Sequence, residues 1–264
     1  MTNNIVNCSI GNEKILKIIR ERLTVRSDEK DQHGEVFTPV ELVCEMLDKL
    51  PSRVWTDKNL KWLDPANGIG NFPVTVYYKL MESLTSSIKN EKQRSKHIIE
   101  KMLYMVELNT VNTHVCKKIF RMIDPTATPN IAIANYLTGD TKWKKAFNGT
   151  DKFDVIMGNP PYNEGGVRAP GVHVVGSKSI WQPFIEKSID RLMPGGLLLF
   201  VTPNTWTGLL SDTSKKMLKY QITHLKSYAD YESYAIFNKQ SGNIPIAWFI
   251  LENKNTKHDT LIYD

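Results

Sequence analysis

A stiff polar turn follows one apolar segment of the chain. Residues 153–157 are apolar, and Asn159, Pro160, Pro161 and Tyr162 come shortly after them. Two adjacent prolines fix two φ angles and remove two backbone donors, so the turn has little conformational freedom. Such a turn can present the side-chain oxygen of Asn159 and the carbonyl oxygen of Pro160 to a single amino group. The ring of Tyr162 can then stack on a planar base. A rigid loop with Tyr162 packed in the core is the alternative.

A second candidate site is a glycine-containing turn after the apolar segment 60–64. The turn consists of Asp64, Pro65, Ala66, Asn67, Gly68, Ile69, Gly70, Asn71 and Phe72. Glycines allow a backbone to pass close beneath a ligand. The dinucleotide fingerprint requires a third glycine three residues after the second, and Pro73 occupies that position. The turn therefore favours a smaller, nucleoside-type ligand, and an ordinary strand-to-helix turn remains the alternative.

Two carboxylates stand at or just beyond the ends of other apolar segments. Glu107 ends segment 103–107, where it can accept hydrogen bonds from two vicinal ribose hydroxyls. Asp140 follows segment 131–137 and comes after Gly139. A solvated surface charge is the alternative for Glu107, and a turn residue is the alternative for Asp140.

Alternating apolar segments and helical patterns would position these residues. The sequence predicts seven strands, at 60–64, 103–107, 131–137, 153–157, 197–202, 222–228 and 244–251. Helical patterns lie between several of them, at 74–84, 110–123, 180–193 and 211–220. This alternation predicts an α/β fold, a doubly wound and mainly parallel seven-stranded sheet that binds ligands beyond the carboxyl ends of its strands. The connection 229–243 is too short for a helical crossover, so we expect an antiparallel last strand.

The N-terminal region has its own helical periodicity. We expect helices at 13–25 and 40–50, and the second has a strong start signal. Thr38 can cap it, Pro39 suits its first position, and Glu41 would complete a capping box. The predicted organisation is an N-terminal helical segment at residues 1–50 and an α/β domain at residues 51–264.

In their order, these motifs resemble the AdoMet-dependent adenine-N6 DNA methyltransferases of restriction–modification systems. The resemblance is to the class whose cofactor motifs precede the Asn-Pro-Pro-Tyr motif, and it covers residues 34–251. The matching segments are Phe37-Thr38-Pro39, the turn 64–72, Glu107, Asp140, residues 159–162, Pro194-Gly195-Gly196-Leu197, Phe200-Val201-Thr202-Pro203 and Phe237. The resemblance implies a Rossmann-like methyltransferase fold.

The resemblance also implies a role for each residue. The cofactor would be S-adenosyl-L-methionine, with S-adenosyl-L-homocysteine as product and no metal. Its methionine end would lie against Phe37, Thr38 and Pro39. The floor of the site beneath the cofactor would consist of Asp64, Ala66, Asn67, Gly68 and Gly70, flanked by Asn71 and Phe72. Glu107 would hold the ribose, Asp140 would face the adenine ring, and Asn159 would bridge cofactor and target. The catalytic residues would be Asn159, Pro160, Pro161 and Tyr162, with Phe237 stacking on the other face of a flipped-out adenine.

Charge and cysteine content restrict the partners and the compartment. Lys and Arg number 34 against 28 Asp and Glu, a net charge of +6, which favours a polyanionic partner such as double-stranded DNA. Three scattered cysteines suit a reducing compartment, the cytoplasm of a prokaryotic or phage-infected cell. No apolar segment is long enough to span a membrane, and no signal peptide is evident. A target-recognition region is not visible before the last residue, Asp264, so a second polypeptide supplying recognition or a nuclease is a possible partner.

The same residues argue against several other enzymes. No Pro-Cys dipeptide provides the nucleophile for methylation of a cytosine ring carbon, and no Pro-Cys-x-x-Cys motif supports a zinc deaminase. Three alternatives stay open: methylation of an RNA adenine, methylation of a protein glutamine, and a catalytically silent subunit that binds AdoMet or nucleic acid. The segment 37–39 favours DNA over the first two, and intact Asn159, Pro160 and Tyr162 oppose the third.

Overall fold

A single eight-stranded sheet forms the centre of the molecule. The computed structural model describes residues 15, 17–19, 38–164, 178–208, 211–237, 244–255 and 258–263. The strands are β1 (Trp62–Asp64), β2 (Leu103–Glu107), β3 (Asn130–Ile133), β4 (Phe153–Gly158), β5 (Leu192–Pro203), β6 (Gln221–Tyr228), β7 (Ile246–Glu252) and β8 (Leu261–Tyr263). Their order is β3-β2-β1-β4-β5-β7-β6-β8.

The strand directions confirm the predicted fold class. The pairs from β3 to β5 are parallel, and β7 runs antiparallel to both β5 and β6. The described residues contain eight strands where the sequence predicts seven, because the short strand β8 adds itself parallel to β6. The antiparallel strand is therefore next to last along the chain. All residues of β1 and β2 are buried, as expected for strands covered on both faces.

Helices connect these strands. They are α1 (Val40–Leu47), α2 (Arg53–Thr56), α3 (Asn71–Ser83), α4 (Glu91–His97), α5 (Thr110–Ile123), α6 (Asp140–Ala146), α7 (Trp181–Arg191), α8 (Asp212–Met217) and α9 (Asp230–Ile236). A π-helical turn, Ile98–Met102, joins α4 to β2, and a 3-10 turn, Asn204–Thr207, follows β5. The sequence patterns do not predict α2, α6 and α9, and they leave residues 89–101 as a helix or a loop.

The predicted capping box at α1 is wrong. Pro39 occupies the N-cap position, and no side chain caps the helix. Thr38 is instead buried, and its carbonyl oxygen accepts a hydrogen bond from Nδ2 of Asn71 at 2.7 Å. Thr38 thus makes a tertiary contact through its backbone carbonyl and does not cap the helix. Helix α1 packs against α3, and Glu45 pairs with Lys226 of β6 at 2.7 Å, so this part of the predicted N-terminal segment lies against the sheet layer. The domain division at residue 50 stays a prediction.

Candidate active site

The turn after β1 is tightly fixed by its glycines and by the neighbouring strand. The amide of Asn67 donates to the carbonyl of Val106 in β2 at 3.0 Å. Gly70 has φ +102°, and a Cβ there would lie 2.9 Å from Sγ of Cys116. Only glycine combines this backbone conformation with this lack of space. The turn is thus a shallow backbone floor that leads directly into α3.

Glu107 joins this floor to the turn after β2. Its side chain is buried, with Oε2 accepting from the amide of Gly68 at 2.6 Å and Oε1 accepting from the amide of Asn109 at 2.7 Å. A carboxylate accepts hydrogen bonds only, and here it fixes the turn after β1 against the turn after β2. The geometry agrees with the predicted position of Glu107 at the carboxyl edge of the sheet.

Asp64 gives the floor a second carboxyl group. It is 2% exposed, and its Oδ1 accepts from the amide of Ala66 at 3.1 Å. Burial raises the pKa of Asp64 well above its ordinary value, against the effect of the Ala66 hydrogen bond, and the charge of Glu107 raises it further. Burial disfavours the ionised form of Asp64, and a nearby positive charge would favour that form again. Asp64 and Glu107 together therefore suit a ligand that carries a positive charge.

The end of β4 lies directly against Asp64. Gly158 has φ +151°, and a Cβ at this position would lie 2.8 Å from Oδ1 of Asp64. The close approach brings Asn159, the next residue, beside the floor. Sequence reasoning missed Gly158, although a glycine between an apolar strand and Asn-Pro-Pro-Tyr is a visible signal of close backbone approach.

The Asn-Pro-Pro-Tyr turn is held from both ends. The side-chain oxygen of Asn159 and the residue Pro160 are buried, and Pro161 is half-buried. The carbonyl of Tyr162 accepts from the amide of Ile180 at 3.0 Å, just before α7 begins. The ring of Tyr162 is only 6% exposed, and burial raises the pKa of its hydroxyl. The turn is therefore a fixed part of the core.

The remaining predicted residues lie in different surroundings. Phe72, Asn67 and Asn71 are buried around the floor, Ala66 and Pro39 are half-buried, and Phe37 lies outside the described residues. Phe237 is 2% exposed, with its ring enclosed in the core. Asp140 begins α6, and its carboxylate pairs with Lys187 at 2.7 Å and Arg191 at 3.6 Å. The structure thus gives Asp140 protein partners on α7.

Two residues at the carboxyl edge escaped sequence reasoning. Leu108 directly follows the buried Glu107 and is 65% exposed. Asn135 is exposed just after β3, and its Oδ1 accepts from the amides of Leu137 and Thr138 at 2.8 and 3.3 Å. Leu108 lies immediately beyond a predicted strand end, whereas Asn135 falls inside the predicted strand 131–137, which ends in the structure at Ile133. Together they offer an apolar side chain and a polar turn beside Glu107.

The strand order arranges these features in a line. In the order β3-β2-β1-β4, the turn after β4 carries Asn159, the turn after β1 forms the floor, and β2 ends in Glu107. A nucleoside held by Glu107 with its reactive end at Asn159 would extend its base toward the turn after β3. An extended nucleoside with a cationic group therefore matches the site.

Comparison with solved structures defines the class of fold. A protein from Listeria monocytogenes assigned to the class I S-adenosylmethionine-dependent methyltransferases superposes with a TM-score of 0.61 at 17% identity, over 95% of this chain and 72% of its own. A protein from Vibrio vulnificus assigned as the modification subunit of a type I restriction enzyme gives 0.62 at 19% identity, over 94% of this chain and 50% of its own. The predicted methyltransferase fold is confirmed.

The sequence identifies the family. The profile of the Eco57I restriction-modification methylases matches residues 41–237, and the chain belongs to this family. A protein of Mycoplasma pneumoniae named as an uncharacterized adenine-specific methylase is 27% identical, over 87% of this chain and 69% of the relative. The family match confirms the predicted class of restriction–modification methylases, and adenine specificity is the description of the Mycoplasma pneumoniae relative. The chain spans half the length of the Vibrio vulnificus subunit.

Among the helices of the described residues, none combines the length and hydrophobicity that a bilayer-spanning segment needs. Within the same ranges, no three His, Cys, Asp or Glu side chains are grouped closely enough to hold a metal ion.

Proposed function

We propose that this protein transfers the methyl group of S-adenosyl-L-methionine to the exocyclic amino nitrogen of adenine in double-stranded DNA, as the modification part of a restriction–modification system. The observation that carries the proposal is the contact between Gly158 and Asp64. This close approach supports a site in which the two oxygen acceptors of the Asn-Pro-Pro-Tyr turn work next to a floor that binds a cationic nucleoside. Membership in the restriction-modification methylase family supports this function.

The residues of the floor fit this cofactor. Bound there, S-adenosyl-L-methionine supplies a methyl group on a sulfonium centre. Asp64 and Glu107 provide two buried carboxyl groups near that positive charge, and the carboxylate of Glu107 would accept hydrogen bonds from the ribose hydroxyls. The exposed side chain of Leu108 offers an apolar surface to the base. Segment 38–39, tied to Asn71, borders the floor from the α1 side.

The chain contributes positioning and hydrogen-bond acceptors to the reaction. The adenine amino nitrogen is a poor nucleophile because its lone pair is delocalised into the ring. Hydrogen bonds from this amino group to Oδ1 of Asn159 and the carbonyl of Pro160 favour tetrahedral geometry and localise the lone pair. Fixed acceptors require no reorganisation during the reaction, and a held geometry removes much of the entropic barrier.

The target adenine must leave the duplex to reach this turn. The rings of Tyr162 and Phe237 are both buried, so the stacking of either ring on the flipped base stays a prediction. The adenine-facing role of Asp140 likewise stays a prediction. A further polypeptide or segment that recognises the target sequence is part of the proposal.

Replacement of Glu107 by alanine is expected to weaken binding of the cofactor about tenfold to hundredfold. Hydrogen bonds to a charged group contribute roughly 1.5–3 kcal/mol each, and 1.4 kcal/mol is about tenfold in affinity. Calorimetric titration with S-adenosyl-L-homocysteine measures the change. Glu100→Ala is the matched control, because Glu100 also accepts from a backbone amide, that of Thr128 at 3.0 Å, but lies before β2 starts. Unchanged affinity in Glu107→Ala would remove this residue from the ribose site.

The proposed reaction is tested by incubating the protein with labelled S-adenosyl-L-methionine and separate pools of duplex DNA, RNA and protein. We expect label in DNA, and nucleoside analysis should identify it as N6-methyladenine. Label confined to RNA or to protein glutamine would contradict the proposed substrate. Binding of S-adenosyl-L-homocysteine without transfer to any pool would favour the silent subunit.

A further inference from the structure

Helix α7 is attached at its start to the Asn-Pro-Pro-Tyr turn. The amide of Ile180 donates to the carbonyl of Tyr162 at 3.0 Å, and Asn163 forms an antiparallel bridge with Ser179. The helix proper begins at Trp181. A displacement of α7 would therefore be transmitted to the segment that carries Tyr162.

One turn from its end, the same helix holds the turn after β3. Lys187 is 15% exposed, and its Nζ donates to the carbonyl of Leu137 at 2.8 Å and pairs with Asp140 at 2.7 Å. The ammonium also lies 5.3 Å from the centre of the Tyr136 ring. One side chain thus contacts both ends of the turn 136–140, through a carbonyl, a carboxylate and an aromatic face.

The turn held by Lys187 borders the nucleobase end of the candidate site. Ala134 donates its amide to the carbonyl of Glu107 at 3.0 Å, so the start of the turn is joined to the ribose position. Asn135 follows, with its Oδ1 accepting from the amides of Leu137 and Thr138. The backbone closes tightly, because the amide of Gly139 donates to the carbonyl of Asn135 at 2.7 Å. The position of Asn135 therefore depends on a loop that Lys187 fixes from outside.

The charges around Lys187 form a chain between α6 and α7. Asp140 is shared by Lys187 and Arg191, and Arg191 and Lys144 share Asp151 at 2.9 and 2.8 Å. Arg191 can retain Asp140 when Lys187 is removed. The carbonyl of Leu137, by contrast, would lose the hydrogen bond that Lys187 donates to it.

We propose that Lys187 is a positioning residue for the nucleobase end of the bound cofactor. It holds the turn that carries Asn135 and links this turn, through α7, to the Asn-Pro-Pro-Tyr segment. The inference rests on the proposed function, since it assigns the turn to a nucleoside ligand. Lys187 would act on the bound cofactor through the turn 136–140 and not through a contact of its own.

The test compares Lys187→Met with Lys216→Met. Lys216 of α8 is a matched control, because like Lys187 it donates to one backbone carbonyl and pairs with an aspartate. Its Nζ donates to the carbonyl of Glu186 at 3.1 Å and pairs with Asp190 at 2.9 Å, both on α7. We expect Lys187→Met to weaken binding of S-adenosyl-L-homocysteine about tenfold, a typical effect for an indirect contact. Lys216→Met should bind like the unmodified protein while losing similar thermal stability.

Further measurements separate positioning from general destabilisation. Adenosine contains the base and ribose but no methionine, so Lys187→Met should weaken its binding by a similar factor. The KM for S-adenosyl-L-methionine should rise while kcat at saturation changes less than about threefold. Lys187→Arg retains a donor and a charge, and it should restore part of the affinity.

Three results would overturn the inference. They are unchanged affinity in Lys187→Met, an equal loss in Lys216→Met, and a loss of kcat with unchanged KM. Failure of the unmodified protein to bind S-adenosyl-L-homocysteine or adenosine would overturn the proposed function as well. Normal binding by the unmodified protein together with unchanged binding by Lys187→Met would overturn the inference alone.

Discussion

Replacement of Gly158 by alanine is expected to reduce methyl transfer by at least about a hundredfold and to weaken cofactor binding. The new Cβ would lie 2.8 Å from Oδ1 of Asp64, a distance at which one of the two groups must move. Asp64 cannot move freely, because it is buried and accepts from the amide of Ala66. The strain therefore falls on the floor and on Asn159 together, and a misplacement of about 1 Å can cost about a hundredfold in rate.

Gly149→Ala is the matched control for this prediction. Gly149 also has a positive φ, +84°, but no atom lies within 4 Å of a Cβ built there. Both variants have the backbone strain, which costs about 1–3 kcal/mol, whereas only Gly158→Ala has the steric contact. Thermal melting, titration with S-adenosyl-L-homocysteine and a transfer assay distinguish the two. Full activity in Gly158→Ala would show that the contact with Asp64 does not constrain the site.

Replacement of Asn159 by alanine is expected to lower the rate of methyl transfer by about 10²–10³, the usual effect of removing one positioned polar group from an active site. The variant retains the carbonyl of Pro160 but loses one of the two acceptors for the amino group. The floor and Glu107 are unaltered, so affinity for S-adenosyl-L-homocysteine should change less than about threefold. Single-turnover transfer to duplex DNA at saturating cofactor isolates the chemical step.

Asn163→Ala provides the comparison for Asn159→Ala. Asn163 is the next amide side chain along the same segment, and its backbone pairs with Ser179. We expect this variant to transfer at nearly the normal rate. Parallel losses of transfer and of ligand affinity in Asn159→Ala would assign Asn159 to the cofactor rather than to the target amino group.

The sequence was most informative where a regular pattern met a clear boundary. Strand β2 and helix α5 have the predicted bounds, because a continuous apolar segment ends at a carboxylate and Asn109 then caps the helix through the amide of Val111. Short elements escaped prediction. Helices α6 and α9 have seven residues each, too few for a helical period to stand out. Strand β5 begins at Leu192, ahead of the predicted start at residue 197, because the strand continues through two glycines that carry no apolar side chain.

The candidate site was predictable to a similar degree. Polar residues at the ends of parallel strands must meet at one edge of the sheet, so Asp64, Glu107 and Asn159 could be placed from sequence. Contacts between distant segments could not. Gly158 lies close to Asp64 only because β4 pairs with β1. The proposed role of Lys187 depends on its hydrogen bond to the carbonyl of Leu137, 50 residues away along the chain. For the same reason, the sequence predicts that Thr38 caps α1, whereas in the structure its carbonyl oxygen accepts a hydrogen bond from the side chain of Asn71.

The pairing of β1 with β4 also bears on the order in which the protein can fold. Lys61 donates its amide to Asp154, 93 residues further along the chain, at 2.8 Å, and Trp62 pairs with Val155. Closing such a long loop costs entropy before any contact compensates for it, so pairings of this kind form slowly. The strands β6 and β7 have a much shorter connection. On the ribosome, the floor at Asp64 must wait until Asn159 has emerged, and we expect the nascent chain to become able to capture its ligand only after β4 has been made and has paired with β1.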